Sequence, residues 1–180
     1  MVTGKGLFVT GTDTGVGKTQ ISAALVHHLV KAGYPIDVRK PAESACLKTR
    51  NGLTAQDALT LAQAAKSAST ESICPYRFES AVSTARASEL SGHSLLLGML
   101  QHACHSEHFV IVEGAGGWYS PIAKDGLNAD LAGLLRWPVL LVAADRLGCI
   151  NHILLCLETM RQRKLTCVAV VLNQTQAQQP

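Results

Sequence analysis

Nine residues near the start of the chain, Gly11-Thr12-Asp13-Thr14-Gly15-Val16-Gly17-Lys18-Thr19, combine small side chains with one lysine and a closing hydroxyl. They follow an apolar run, Gly6–Thr10, and open a stretch with helical spacing, Lys18–Ala32. That order of strand, glycine-rich turn and helix is the setting a phosphate-binding loop requires. Small residues let successive backbone N–H groups turn inward around phosphate oxygens, and the helix N-terminus adds a favourable partial charge. Lys18 would then reach the β- and γ-phosphates of a nucleoside triphosphate, and the Thr19 hydroxyl would ligate Mg²⁺. The nucleotide-contacting set read from the loop is Thr12, Asp13, Thr14, Gly15, Val16, Gly17, Lys18 and Thr19. Five residues, where four are usual, separate Gly11 from Gly17.

Other chemistry-bearing residues fall at the ends of apolar runs. Lys40-Pro41, with Ser44 close behind, follows the run Ile36–Arg39. Ligands of open α/β sheets bind at the carboxyl ends of strands, so a lysine there can stabilise a developing anion. A lone Lys-Pro is equally a solvated turn. Glu113 closes the run Phe109–Glu113 and leads into Gly114-Ala115-Gly116-Gly117, the place where phosphate-loop enzymes keep a metal carboxylate. Asp57, near the start of the helical stretch Ala55–Lys66, fits electrostatic capping as well as metal binding. Leu147-Gly148-Cys149-Ile150-Asn151-His152 begins another helical stretch, whose exposed N–H groups suit a carboxylate or phosphate. His102, His105 and His108 recur every third residue, but they fall on a surface helix end and the loop after it, and metal binding is not expected there.

These positions need a scaffold. Apolar runs at Gly6–Thr10, Ile36–Arg39, Phe109–Glu113, Val139–Ala143 and Cys167–Leu172 alternate with helical stretches at Lys18–Ala32, Ala55–Lys66, Leu95–Cys104, Leu127–Arg136 and Ile150–Arg163. Continuous apolar strands imply helices on both faces, so the expectation is one α/β domain built on a parallel sheet. Its predicted bounds are 1–173, followed by a polar tail at 174–180. The 180 residues, 47% hydrophobic and 16% charged, suffice for a real core. A net charge of +3 suits a small anion and is too small for a nucleic-acid binder. No apolar stretch approaches the ~18 residues of a membrane span, and no signal-peptide pattern opens the chain. Six scattered cysteines without a Cys-x-x-Cys pair fit reduced thiols in the cytoplasm.

With the motifs placed, the chain resembles the dethiobiotin synthetase family from near Gly6 to Asn173. The resemblance rests on residues 11–19, Lys40-Pro41 with Ser44, Asp57, Val112-Glu113-Gly114-Ala115-Gly116-Gly117-Trp118, and Leu147–His152. It implies a P-loop NTPase-like fold, ATP and Mg²⁺ as cofactors, and a cytoplasmic homodimer with its site at the subunit interface. The implied reaction joins 7,8-diaminononanoate and CO₂ into dethiobiotin, in biotin biosynthesis, with no nucleic acid or membrane involved. Lys18, Lys40 and Ser44 are implied as catalytic, and Thr19, Asp57 and Glu113 as metal ligands. Glu113, Gly116 and the adenine-reading Asn173 complete the nucleotide site. Lys40 and Ser44 hold the carbamate, while Gly148, Cys149 and Asn151 reach the substrate carboxylate from the partner subunit.

Departures from the family pattern set further expectations. Ala81-Val82-Ser83-Thr84-Ala85-Arg86 lacks the prolines usual there, which predicts a less rigid loop. Arg146 stands where a lysine is frequent. The chain lacks the family's C-terminal strand and helix, which enclose the purine, so ATP, GTP and CTP are expected to serve within about tenfold of one another. A nucleotide-binding pseudoenzyme or regulatory dimer of the same fold is the alternative reading. A related amidoligase or switch ATPase would carry a glutaminase domain or an extra early loop lysine, and neither is present.

Overall fold

A computed structural model describes residues 5–67 and 69–174, so most of the expected polar tail, from 175 on, lies outside the described residues. The five apolar runs form the strands β1 (Gly6–Gly11), β2 (Ile36–Arg39), β7 (Phe109–Glu113), β10 (Val139–Ala144) and β11 (Cys167–Asn173). They lie in one five-stranded sheet in the order β11-β10-β1-β7-β2, every pair parallel. Shorter strands flank it: β3 (Ala42–Glu43) pairs with β6 (Tyr76–Arg77), β4 (Leu47–Thr49) with β5 (Gly52–Thr54), and β8 (Pro121–Ala123) with β9 (Gly126–Leu127).

The helices are α1 (Lys18–Lys31), α2 (Gln56–Ala65), α3 (Thr84–Leu90), α4 (Leu97–Ala103), α5 (Asn128–Leu135) and α6 (Cys149–Gln162). Successive strand residues point to opposite faces of the sheet. Phe8, Val110, Val112, Val139 and Leu141 therefore pack into a core with Leu100, Leu131 and Met160 of α4, α5 and α6. On the other face Val9, Ile111 and Val142 meet Val26 of α1 and Leu61 of α2. Both faces are covered, as the unbroken apolar runs require. At the β11 edge Val168, Val170 and Leu172 are exposed.

Parallel pairing has a consequence for chemistry: the carboxyl ends of all five strands open on one side. Strand β7 lies between β1 and β2, so the strand ending in Glu113 borders both the phosphate-loop strand and the strand preceding Lys40. The turn after β7 is tied down by one residue. Asn128, fully buried at the start of α5, donates through Nδ2 to the carbonyls of Ala115 (2.6 Å), Gly117 (3.0 Å) and Ser120 (3.3 Å). Its Oδ1 accepts from the Ala115 N–H at 3.1 Å. Gly117 touches the phosphate loop itself, since a Cβ there would lie 3.2 Å from the Asp13 Cα and the Thr12 carbonyl.

In the stretch 81–86, Ser83 caps α3 by accepting from the Arg86 N–H, and the buried Thr84 hydroxyl donates to the Ile122 carbonyl at 2.9 Å. A hydroxyl cap and a buried hydrogen bond do the fastening that prolines would otherwise do. Asn128→Ala would leave several buried polar groups unpaired and is expected to lower unfolding free energy by about 2–3 kcal/mol. Urea denaturation with an unchanged slope checks this; a loss under about 0.5 kcal/mol would show that the turn is held by other contacts.

Candidate functional site

The phosphate loop closes on itself through its own side chains. Lys18 Nζ donates to the Asp13 carbonyl at 2.9 Å, and the Thr14 N–H donates to Asp13 Oδ1 at 2.7 Å. Gly17 has φ +90°, a conformation natural to glycine, and a Cβ on it would collide with the Asn173 amide. Asn173, the last residue of β11, donates through Nδ2 to the Val16 carbonyl at 3.0 Å. Arg146 comes within 3.7 Å of Asp13 Oδ2. Thr12 through Thr19 thus form one structural unit at the end of β1, with Asn173 against it.

At the centre lies Lys40, 3% exposed. Its ammonium is 2.6 Å from Glu113 Oε1 and 2.7 Å from Asp57 Oδ2, and it approaches the Gly114 carbonyl at 3.4 Å. The Thr19 hydroxyl donates to the same Glu113 oxygen at 2.8 Å. Burial works against the Lys40 charge, but the Glu113 and Asp57 carboxylates outweigh it and hold the pKa above the ordinary lysine value. Burial likewise opposes charge on Asp57, yet Lys40 and the Thr19 hydroxyl keep its pKa below the usual value. Lys18 is different: burial first, then repulsion from Lys40, lower it from 10.5 to about 8.

A cavity of about 490 Å³ opens beside this cluster, lined by Thr14, Lys40, Glu43, Ser44, Asp57, Gly116 and Ser120, among others. Five expected site residues from four separate segments, Thr14, Lys40, Ser44, Asp57 and Gly116, share that wall. Glu43 was not singled out in the sequence. Its carboxylate accepts from the N–H groups of Asp57 and Ala58, both at 3.0 Å, and burial pushes its pKa up. Asn128 was also missed. Both act on backbone groups of other segments, and no spacing rule signals such a pairing.

The residues present suit a small divalent cation. Thr19, Asp57 and Glu113 offer only hard oxygen donors, and Glu113 Oε2 is buried without a hydrogen-bond partner. The three histidines do not gather: His102 ends α4, and His108 faces Asp37 at 3.5 Å. Among the described residues no group of three His, Cys, Asp or Glu side chains is arranged to hold a metal.

Gly148, Cys149 and Asn151 stand apart. They begin α6, with Gly148 at φ +92°, and none of them lines the Lys40 cavity. The same helix helps to form a second groove of about 640 Å³, between Thr12, Gly117, Trp118 and Tyr119 on one side and His152, Leu155 and Thr159 on the other. Trp118 is fixed there by donating from Nε1 to the Thr159 hydroxyl at 2.9 Å.

Comparison with known proteins places this geometry. The AAA domain family matches residues 5–180. The ATP-dependent dethiobiotin synthetase BioD of Ruthia magnifica is 42% identical over 173 residues, covering 96% of this chain and 81% of that protein. The chain belongs to the dethiobiotin synthetase family. Its counterpart from Vesicomyosocius okutanii is 44% identical over 94% of the chain and 79% of its own length. That from Pseudomonas aeruginosa is 40% identical over 92% and 75%. In fold, the chain superimposes on the kinase domain of the Escherichia coli tyrosine kinase ETK with a TM-score of 0.56 at 16% identity, covering all of this chain and 71% of that one. The P-loop NTPase-like architecture expected from the motifs is therefore the observed one.

The depressed Lys18 yields a pH prediction whose sign follows from its direction. A lysine with a folded pKa near 8 and an ordinary value of 10.5 is disfavoured while charged, so its cost is full below about pH 8 and disappears above 10.5. Phosphate oxygens reverse the imbalance by favouring the ammonium. Binding of Mg²⁺-free ATP should therefore take up a proton between pH 8 and 9, with affinity level below pH 8 and falling above it. Calorimetry in buffers of different ionisation enthalpy measures the uptake; none at pH 8.5 would mean that Lys18 does not meet the phosphates.

Proposed function

We propose that the chain is an ATP-dependent dethiobiotin synthetase working through the Lys40 cavity. It closes the ureido ring of dethiobiotin from 7,8-diaminononanoate, CO₂ and ATP. The observation that carries the reading is the meeting of Lys40 with Asp57, Glu113 and the phosphate-loop Thr19 beside a cavity that also holds Ser44.

The chemistry assigns work to these residues. One amine of the substrate takes up CO₂ and releases a proton, giving a carbamate that Lys40 and Ser44 hold by charge-assisted hydrogen bonds. A carbamate oxygen attacks the γ-phosphorus, ADP departs, and a carbamic–phosphoric anhydride remains. Lys18 and the loop N–H groups offset the charge spread over the transferring phosphoryl group, and Thr14 orients it. Mg²⁺, held by Thr19, Asp57 and Glu113, would supply Lewis-acid stabilisation of the phosphate oxygens. The second amine then attacks the carbonyl carbon and loses a proton, and phosphate leaves as the ring closes. Both amines belong to one molecule held in one cavity, so proximity lowers this last barrier.

The quaternary part of the reading rests on α6. Leu147, Ile150, Leu154 and Leu155 are exposed apolar residues on or beside the helix start that carries Gly148, Cys149 and Asn151. A second copy covering them would bring that start to its neighbour's substrate carboxylate, which a helix N-terminus suits. Asn173 and Gly116 would contact the nucleotide. A cytoplasmic setting belongs to this reading and is supported by the six free thiols; no described helix is long and apolar enough to cross a membrane.

The direct test measures dethiobiotin and ADP with and without the diamine and bicarbonate. ADP release that requires both, in step with ring closure, is expected; nucleotide binding with no product would favour a pseudoenzyme. Lys40→Ala should reduce ring-closing turnover by about 10²–10³, as loss of one oxyanion donor does, with little change in ATP affinity. A variant that turns over normally once saturated with ATP would move Lys40 from the carbamate to the nucleotide.

A further inference from the structure

Glu43 is a carboxylate, 6% exposed, that none of these steps uses. It ends β3 and spans the start of α2, where Oε1 accepts from the Asp57 N–H and Oε2 from the Ala58 N–H, each at 3.0 Å. The first turn of a helix has N–H groups with no partner inside the helix, and a short polar side chain at the N-cap usually takes them. Here that position is Ala55, which makes no side-chain cap. The cap comes instead from a residue in a different strand.

What it caps matters. Asp57 hangs from the first turn with its side chain 41% exposed, and its carboxylate is 2.7 Å from Lys40 Nζ. Solvent on its open side does nothing to fix it, so beyond Lys40 and the Thr19 hydroxyl its place is set by its backbone. The backbone N–H of Asp57 is one of the two groups Glu43 holds. The geometry points to Glu43 as a positioning residue: a two-oxygen cap that pins the first turn of α2 and so aims the Asp57 carboxylate at Lys40, Glu113 and the phosphate loop. With both oxygens engaged by backbone donors, it serves as an anchor for the wall of the cavity.

This inference rests on the reading of Asp57 and Glu113 as metal carboxylates, and its test reads the metal without turnover. Mn²⁺ binding, followed by its electron spin resonance in the presence of saturating ADP, is compared across variants. Glu43→Ala should weaken Mn²⁺ about five- to tenfold, the size of effect that losing a helix cap gives. Glu43→Gln keeps one acceptor oxygen and should weaken it about two- to threefold. Ala55→Ser, added to Glu43→Ala, puts a cap back in the local sequence and should restore most of the affinity. ADP affinity without metal should not move. Wild-type Mn²⁺ affinity in Glu43→Ala would overturn the inference, and so would a loss that Ala55→Ser leaves uncorrected, because the effect would then come from the Glu43 charge. Should Glu43→Ala fail to fold, Glu43→Gln with and without Ala55→Ser decides the same question. Failure of the unaltered protein to bind Mn²⁺ alongside ADP would overturn the metal reading itself, and this inference with it.

Discussion

A lysine ammonium shut away from water must find its counter-charges inside the fold, and Lys40 finds them in Glu113 and Asp57. Neither carboxylate is near it in sequence. Glu113 arrives because β7 is inserted between β1 and β2, so that the ends of those three strands are neighbours. Asp57 arrives because α2 begins over the end of β2. Removing one member of a buried pair typically costs about 3–5 kcal/mol, since the survivor is left charged and unpaired. The strand order, the start of α2 and the charge state of Lys40 are therefore not independent choices. A different order of strands would leave a buried lysine and a buried glutamate without each other.

The same cluster explains why two neighbouring lysines behave differently. Lys40 is surrounded by opposite charge and remains an ammonium at any ordinary pH. For Lys18, burial first and then repulsion from Lys40 outweigh the attraction of Glu113, Asp57 and Asp13, and its pKa falls to about 8. One cation is thus balanced within the protein, while the charge on the other is disfavoured; on the proposed reading a bound triphosphate offsets this by favouring the Lys18 ammonium.

Much of this arrangement was legible in the residues. The five long strands and five of the helices appear within a residue or two of the apolar and helical runs, because burial on both faces imposes continuous hydrophobicity. The phosphate loop was legible because its glycines and Gly17-Lys18-Thr19 are contiguous. The short strands and α3 were not, since two- or three-residue strands carry too little periodicity and Thr84–Leu90 has Leu90 as its one large apolar residue. Nor were Asn128 and Glu43. Each earns its place by bonding to backbone groups in another segment, and an alanine at the cap position of α2 gives no hint that a glutamate twelve residues earlier replaces it.

The cavity and the groove also bear on what one chain can recognise alone. They lie on either side of the turn that Asn128 fastens, one lined by charge and hydroxyls, the other largely by Trp118, Tyr119, Leu155 and Cys156. A long-chain diamino acid has the same two-part chemistry: amines and a nascent carbamate that need charge, then methylenes that gain about 0.8 kcal/mol each on leaving water. Its far carboxylate needs donors, which on the proposed reading the first turn of α6 would offer. Within a single chain that helix start does not reach the cavity holding Lys40. On the proposed reading, a substrate bound at both ends would draw its carboxylate contacts from a second copy, and Leu147, Leu154 and Leu155, exposed around the α6 start, are apolar surface that such a copy would remove from water.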